Sequence, residues 1–185
     1  KAKGSCLDNK KVIVTAAPHQ SGKDEYLMIL MILALDIDVC YLSAKWTMRR
    51  IPIPFIKPKD IDNQGIPWPL GWLQEIVFRK FGAIPVDRKG NSGQYDSVVQ
   101  ELYKRDSFLL IITPEGRFDA TRFRSSFLYL AKELEAEVMP VQIDYEHDTL
   151  QFLESLNLDG SEEEVIQRLR FCFDGVKGRK SRFKA

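Results

Sequence analysis

A chain of 185 residues fits one domain, or one domain with a short appendage, and can bury roughly two-thirds of its unfolded surface. Hydrophobic residues make up 44% and charged residues 29%, the balance of a globular protein, which excludes intrinsic disorder over most of its length. A net charge of +1 gives no overall reason to expect nucleic acid as a partner. The charge is uneven, however. Lys177, Arg179, Lys180, Arg182 and Lys184 crowd the stretch 177–185 with no acid among them. Such a stretch reads first as a solvated, frayed tail. The sharper reading is contact with anionic lipid headgroups, at roughly 1 kcal/mol per basic residue near the surface.

The three cysteines, Cys6, Cys40 and Cys172, lie far apart and show no metal-ligand spacing. An odd number argues for reduced thiols and a cytosolic compartment, and the apolar neighbours of Cys40 and Cys172 make both core filler. The most apolar run, Leu27 to Leu35, is bounded by Glu25 and Asp36. A membrane span needs about 20 apolar residues, so this run reads as a buried helix. The sequence starts at Lys1 rather than at a methionine, which leaves room for a removed N-terminal anchor.

In chain order, Lys11 to Ala16 reads as a buried strand and Lys23 to Leu35 as a helix, apolar nearly all round. Asp38 to Ser43 is a second strand. The stretch Arg50 to Pro69 holds Pro52, Pro54, Pro58, Pro67 and Pro69, too many for a regular helix or central strand, so an ordered loop is expected. Leu70 to Phe81 follows as a helix ending near Gly82. Ala83 to Val86 is a short strand and Gly90 to Gly93 a turn. Gln94 to Arg105 is an amphipathic helix with Val98, Val99, Leu102 and Tyr103 on one side. Phe108 to Thr113 is a strongly buried strand, Ser125 to Glu135 a helix, and Val138 to Ile143 another strand. A last helix spans about 161–173, with Ser161 and Glu164 at capping-box spacing. Alternation of strands and helices, with continuous apolar strand runs, predicts an α/β fold: a mixed, mostly parallel sheet flanked by helices on both faces. A single domain over 1–185 is expected, with its core over about 11–145.

Catalytic groups in such folds gather where strands pass into the following loops. Directly after the first strand come Ala17, Pro18, His19, Gln20, Ser21, Gly22, Lys23 and Asp24. A histidine there sits at a cleft, and Asp24 in the first helical turn can reach back to its imidazole. Asp24 would hold the Nδ1 proton and leave Nε2 free as a base. The bland alternative is that Asp24 only favours the helix N-terminus. Ser21 beside His19 is a poor nucleophile candidate, because nothing around it looks like a nucleophile elbow.

The pair does not stand alone. His19-x4-Asp24 is followed by Gly82-Ala83-Ile84-Pro85-Val86-Asp87-Arg88, then Thr113-Pro114-Glu115-Gly116-Arg117, then Val138-Met139-Pro140-Val141. This order resembles the four blocks of the glycerol-phosphate and lysophosphatidate acyltransferase family, over roughly Val12 to Tyr145. The resemblance implies a glycerol-3-phosphate acyltransferase-like fold and transfer of a fatty acyl group from acyl-coenzyme A or acyl carrier protein to a hydroxyl of a glycerol-phosphate or lysophospholipid. His19 would be the general base and Asp24 its orienter, with no covalent intermediate, no metal and no bound organic cofactor. Arg88 matches the arginine that binds the acceptor phosphate, a task suited to a bidentate guanidinium. Glu115 and Gly116 match the third block and are expected at the acceptor site. The protein would work peripherally at the cytoplasmic face of a membrane.

Two departures matter. The third block usually carries a threonine between glycine and arginine, whereas Arg117 follows Gly116 directly. Either Arg117 takes the threonine position, or the loop is one residue shorter and Arg117 replaces the family arginine. The second fits better, because Phe123-Arg124-Ser125-Ser126-Phe127 resembles the family's aromatic-Lys-x-Gly-Phe stretch, with Arg124 for the lysine and Ser126 for the glycine. The proline-rich loop is also long, and Trp46, Phe55, Trp68 and Trp72 would make it a membrane-facing or acyl-covering flap, or else plain core. The runner-up function is a catalytically weak lipid-binding or scaffold protein that keeps the fold. A third reading keeps the enzyme but exchanges the acceptor for an amino-acid-containing lipid.

Overall fold

The computed structural model describes residues 10–21, 24, 27, 28, 30, 39–51, 66–86, 95–116 and 122–185. Their elements, in order, are β1 (Lys11–Ala17), β2 (Val39–Ala44), a 3-10 turn (Lys45–Met48), β3 (Arg50–Ile51), β4 (Ile66–Pro67), α1 (Gly71–Lys80), β5 (Ala83–Val86), α2 (Asp96–Leu102), β6 (Phe108–Ile112), α3 (Ser126–Leu134), β7 (Glu137–Asp144), β8 (Thr149–Phe152) and α4 (Glu162–Phe171). The class is α/β with mixed, mostly parallel strand pairing. The chain divides into two compact units, Lys1–Asp38 with Asp106–Ala185, and Val39–Arg105.

In the first unit β1 lies between β6 and β7 and runs parallel to both, with Thr15 opposite Ile112 on one side and Pro140 on the other. Apolar residues occupy both faces of β1 and β6 because both faces are covered: Val12 to Ala17 and all of Phe108 to Ile112 are buried. Each buried valine, isoleucine, leucine or phenylalanine among them contributes roughly 1.5–3 kcal/mol relative to leaving it in water. Parallel pairing also sends the C-terminal ends of β1, β6 and β7 to the same side, which decides where the chemistry can lie.

β8 returns antiparallel along β7, pairing Val141 with Phe152. Its four residues, Thr149-Leu150-Gln151-Phe152, alternate polar and apolar, but the run is short and largely exposed, which hides the strand in the sequence. α3 buries Phe127, Leu130, Ala131 and Leu134, spaced for one helix face. α4 starts as its capping box predicts: Ser161 accepts the Glu164 N–H at 3.3 Å, and Glu164 accepts the Ser161 N–H at 2.8 Å.

The basic C-terminal stretch is not a frayed tail. Val176 and Phe183 are joined by a 2.8 Å backbone hydrogen bond, Gly178 and Ser181 by one of 3.0 Å, and Lys177 forms a β-bridge with Arg182. Phe183 stacks into a cluster with Phe123 and Phe173, at centroid distances of 5.3 and 6.1 Å, and the Arg170 guanidinium lies 5.4 Å above its ring. A single aromatic near the end of a polar run was enough to anchor it, which a reading of charge alone misses.

In the second unit β2 and β5 pair parallel, with Tyr41 opposite Ala83. The proline-rich stretch is not all loop: Arg50–Ile51 and Ile66–Pro67 form a short antiparallel pair, a place where the missing proline N–H is tolerated. Residues 52–65, with Phe55, lie outside the described residues. α2 buries Val98 and Leu102 as expected, but Tyr103 stands 70% exposed just past its end, where the helical face no longer holds.

Two helices depart from the expectation that apolar means buried. Of the run 23–35, Asp24, Leu27, Met28 and Leu30 are described and helical, and Leu30 is exposed. In α1 the reversal is plainer. Trp72, Leu73, Ile76 and Val77 are exposed, Trp72 by 57% and Ile76 by 50%. The less exposed side carries Gln74 and Glu75 beside Phe78: the Gln74 amide donates to the Thr47 carbonyl at 2.7 Å and accepts from the Trp68 indole at 2.8 Å. Glu75 pairs with Arg49 and, at 3.1 Å, with Arg79. Trp68 is thereby fixed by its N–H to α1.

Candidate active site

The chain leaves β1 through a cis Ala17–Pro18 bond and places His19 at the C-terminal end of the central strand of the first unit. His19 is 7% exposed. Its Nδ1 lies 3.3 Å from Oδ2 of Asp24. The five-residue spacing works because the loop folds over the carboxylate: the N–H groups of Gln20 and Ser21 donate to Asp24 Oδ2 at 2.7 and 2.8 Å. The Ser21 hydroxyl reaches Asp24 Oδ1 at 3.4 Å, so it faces the carboxylate. The second oxygen of Asp24 also accepts the Tyr145 hydroxyl at 2.5 Å.

Asp24 is fully buried and remains ionised. Burial alone would raise its carboxyl, but hydrogen bonds from His19, the Tyr145 hydroxyl and the Ser21 and Gln20 N–H groups outweigh that and hold it at about 2, against an ordinary 3.8. A carboxylate so held is a poor proton acceptor and a good orienter. At 3.3 Å from Nδ1 it favours the tautomer with the proton on that nitrogen, which would leave Nε2 as the basic one.

Glu115 enters from the turn after β6, the neighbouring strand. It is buried, and one of its carboxylate oxygens accepts the His19 N–H at 2.5 Å. Burial pushes the Glu115 carboxyl up to about 7, although the His19 N–H pulls the other way. Placed at the acceptor site by sequence, Glu115 is found holding the backbone of the histidine. Its folded-state value exceeds the ordinary 4.5, so the stability it contributes is complete below pH 4.5 and is lost as pH rises toward 7, by roughly 3 kcal/mol. Glu115→Gln keeps an oxygen for the His19 N–H but removes the charge. The variant is expected to melt well above the wild type at pH 8 and close to it at pH 4.5. A melting-temperature difference that does not change with pH would show that Glu115 carries no buried charge.

Gly116 follows with φ of +67°, and its N–H closes the turn onto the Thr113 carbonyl at 3.0 Å. A Cβ there would meet Arg124 Nε at 3.0 Å, so Arg124 lies against the Gly116 turn. Arg88 and Arg117 lie outside the described residues.

Two participants were missed in the sequence. Tyr145 begins the turn after β7, and only its position at a strand end could have marked it. Gln20, inside the motif itself, turns its amide to the C-terminal stretch. Asp144, Glu146 and His147 in the same turn are close enough to share an ion. Glu146 and His147 are exposed, Asp144 is half-buried, and all are already matched, with His147 Nδ1 2.7 Å from Asp144 and Glu146 bound by Arg182 at 2.5 and 2.6 Å, so they carry no metal assignment.

No protein-family model, curated protein or solved structure matches the chain.

Proposed function

We propose that the chain is an O-acyltransferase of the glycerol-phosphate and lysophosphatidate type, with His19 as general base and Asp24 as its orienter. The observation that carries this reading is the His19–Asp24 pair at the end of β1, with the carboxylate saturated by donors and the imidazole Nδ1 directed at it. The acceptor hydroxyl would give its proton to His19 Nε2 as its oxygen attacks the thioester carbonyl. Collapse of the tetrahedral intermediate would expel the thiolate, which recovers the proton from the imidazolium. Acyl-coenzyme A or acyl carrier protein would be the donor, and no metal, bound cofactor or acyl-enzyme is required. Arg88, Gly116, Arg117 and Arg124 are assigned to the acceptor, with Arg88 on its phosphate. The finer fold reading, a glycerol-3-phosphate acyltransferase-like sheet with helices on both faces, belongs to the same proposal.

The substrates imply a membrane surface. Among the described residues no helix is long and apolar enough to cross a membrane. α1 supports a peripheral contact instead, since its apolar side faces out, its polar side is bonded inward, and Arg79 and Lys80 close its last turn. Trp72→Ala with Ile76→Ser is expected to lower co-sedimentation with anionic vesicles several-fold without lowering the melting temperature. Unchanged vesicle binding would remove α1 from the membrane contact.

The deciding experiment offers labelled acyl-coenzyme A and acyl carrier protein with glycerol 3-phosphate, lysophosphatidate and lysophospholipids, in detergent or on vesicles. Transfer that depends on His19 names reaction and acceptor together. A folded, vesicle-bound chain that transfers nothing would leave a lipid-binding module.

A further inference from the structure

The C-terminal turn is tied to the catalytic loop by one side chain. Gln20, next to His19, accepts the N–H groups of Lys180 and Ser181 through its carbonyl oxygen at 2.7 and 3.0 Å. Its amide donates to the Ser181 carbonyl and hydroxyl at 3.2 and 3.1 Å. All four of these hydrogen bonds of the Gln20 amide are directed at two residues 160 and 161 positions away. Gly178 is part of the same fit, because a Cβ there would lie 2.6 Å from the Gln20 side chain. From the other side, the Tyr145 N–H donates to the Lys177 carbonyl at 2.8 Å. The turn is therefore gripped by the two residues that flank the His19–Asp24 pair, one on the β1 loop and one on the β7 turn.

What this turn presents is positive charge. Arg182 is bound to Glu146, and Arg170 is bound to the Lys184 carbonyl and the aromatic cluster. Arg179 and Lys180 are exposed, and among the described residues no carboxylate pairs with either. Burial and the hydrogen bond to Asp24 push the Tyr145 hydroxyl up, and the Arg179 charge pulls it slightly the other way. Asp24 cannot neutralise these cations for a ligand's benefit, since it is buried and already holds its own donors.

We propose that Arg179 and Lys180 form a phosphate-monoester site beside the catalytic loop, positioned there by Gln20. The inference rests on the acyltransferase reading for the chemistry of its ligand, a glycerol-linked phosphate, and adds to it a contact outside the four sequence blocks. The phosphate comes either from a soluble glycerol phosphate or from a lipid headgroup.

The test titrates the full chain with glycerol 3-phosphate and with glycerol, and sediments it with phosphatidylcholine vesicles with and without phosphatidate. Arg179→Ala with Lys180→Ala is expected to weaken glycerol 3-phosphate binding about ten- to hundredfold, as loss of two charge-assisted contacts requires. Arg179→Lys with Lys180→Arg should restore most of it. Gln20→Ala should weaken it in the same direction and expose the bond after Lys177 or Arg179 to trypsin, because the turn is released. A loss confined to titration assigns a soluble phosphate, and a loss of the phosphatidate preference as well assigns a lipid headgroup. Either supports the site. Unchanged affinity in the double alanine variant, an equal loss toward glycerol, or no binding of either phosphate probe by the wild type would overturn it. Phosphate binding that depends on Arg179 and Lys180 in a chain that transfers no acyl group would sink the enzymatic reading alone. Acyl transfer that needs His19 but ignores both cations would sink this site alone.

Discussion

His19→Ala is expected to lower kcat for acyl transfer by about two to four orders of magnitude, the usual worth of a positioned general base. KM for the acyl donor should move far less, because the imidazole acts on the proton of the acceptor hydroxyl and not on the donor's carrier. The fold should survive. The His19 main-chain N–H, which donates to Glu115, is kept in the alanine variant, and the removed ring leaves Asp24 with its two N–H donors and the Tyr145 hydroxyl. Single-turnover transfer at saturating donor, compared with the melting temperature, separates a chemical defect from a structural one. A variant with near wild-type kcat would remove His19 from the chemistry, whatever the motif looks like.

Asp24→Ala is expected to be the most damaging structural change in the site. It deletes the common acceptor of Gln20, Ser21 and Tyr145 and leaves buried donors without a partner, at roughly 2–4 kcal/mol in total. Part of that should depend on pH. With the folded carboxyl at about 2 against an ordinary 3.8, the stability it contributes is complete above pH 3.8 and fades as pH falls toward 2, by about 2 kcal/mol. Urea midpoints of wild type and variant should therefore stand far apart at pH 7 and draw together near pH 2.5. Equal midpoints at pH 7 would mean that the carboxylate is not the hub the geometry makes it. Loss of transfer beyond what the lost stability explains would report the orienting role.

Most of the framework was legible because it rests on periodicity. The runs Lys11–Ala16 and Phe108–Thr113 are apolar without alternation, and such runs become strands covered on both faces, as β1 and β6 are. The capping box at Ser161 is a local pattern and came out as a local structure. The His19–Asp24 contact was legible too, since it closes within five residues. What escaped depends on distant partners. Nothing within the sequence neighbourhood of Tyr145 says that its hydroxyl will meet Asp24, and a run of lysines and arginines reads as solvated until Phe183 finds Phe123 and Phe173. α1 escaped for a different reason. Its composition shows which side is apolar but not which side is covered, and Gln74 and Glu75 reversed the usual choice by bonding inward.

The order in which the site's parts occur along the chain has a consequence during synthesis. His19 emerges early, but its backbone acceptor Glu115 follows 96 positions later, the Tyr145 partner of Asp24 is 121 positions from it, and the backbone that Gln20 holds lies 160 and 161 positions on. Contacts so far apart form last, because their loop-closure cost must be met before they return anything. A ribosome that has not yet extruded residue 181 would thus hold β1 with its histidine loop unclosed, and the loop would gain its full set of partners only after that residue has cleared the exit. Until then the chain would present a histidine without its full set of partners, so the activity proposed for it would begin only once that stretch has folded back onto β1.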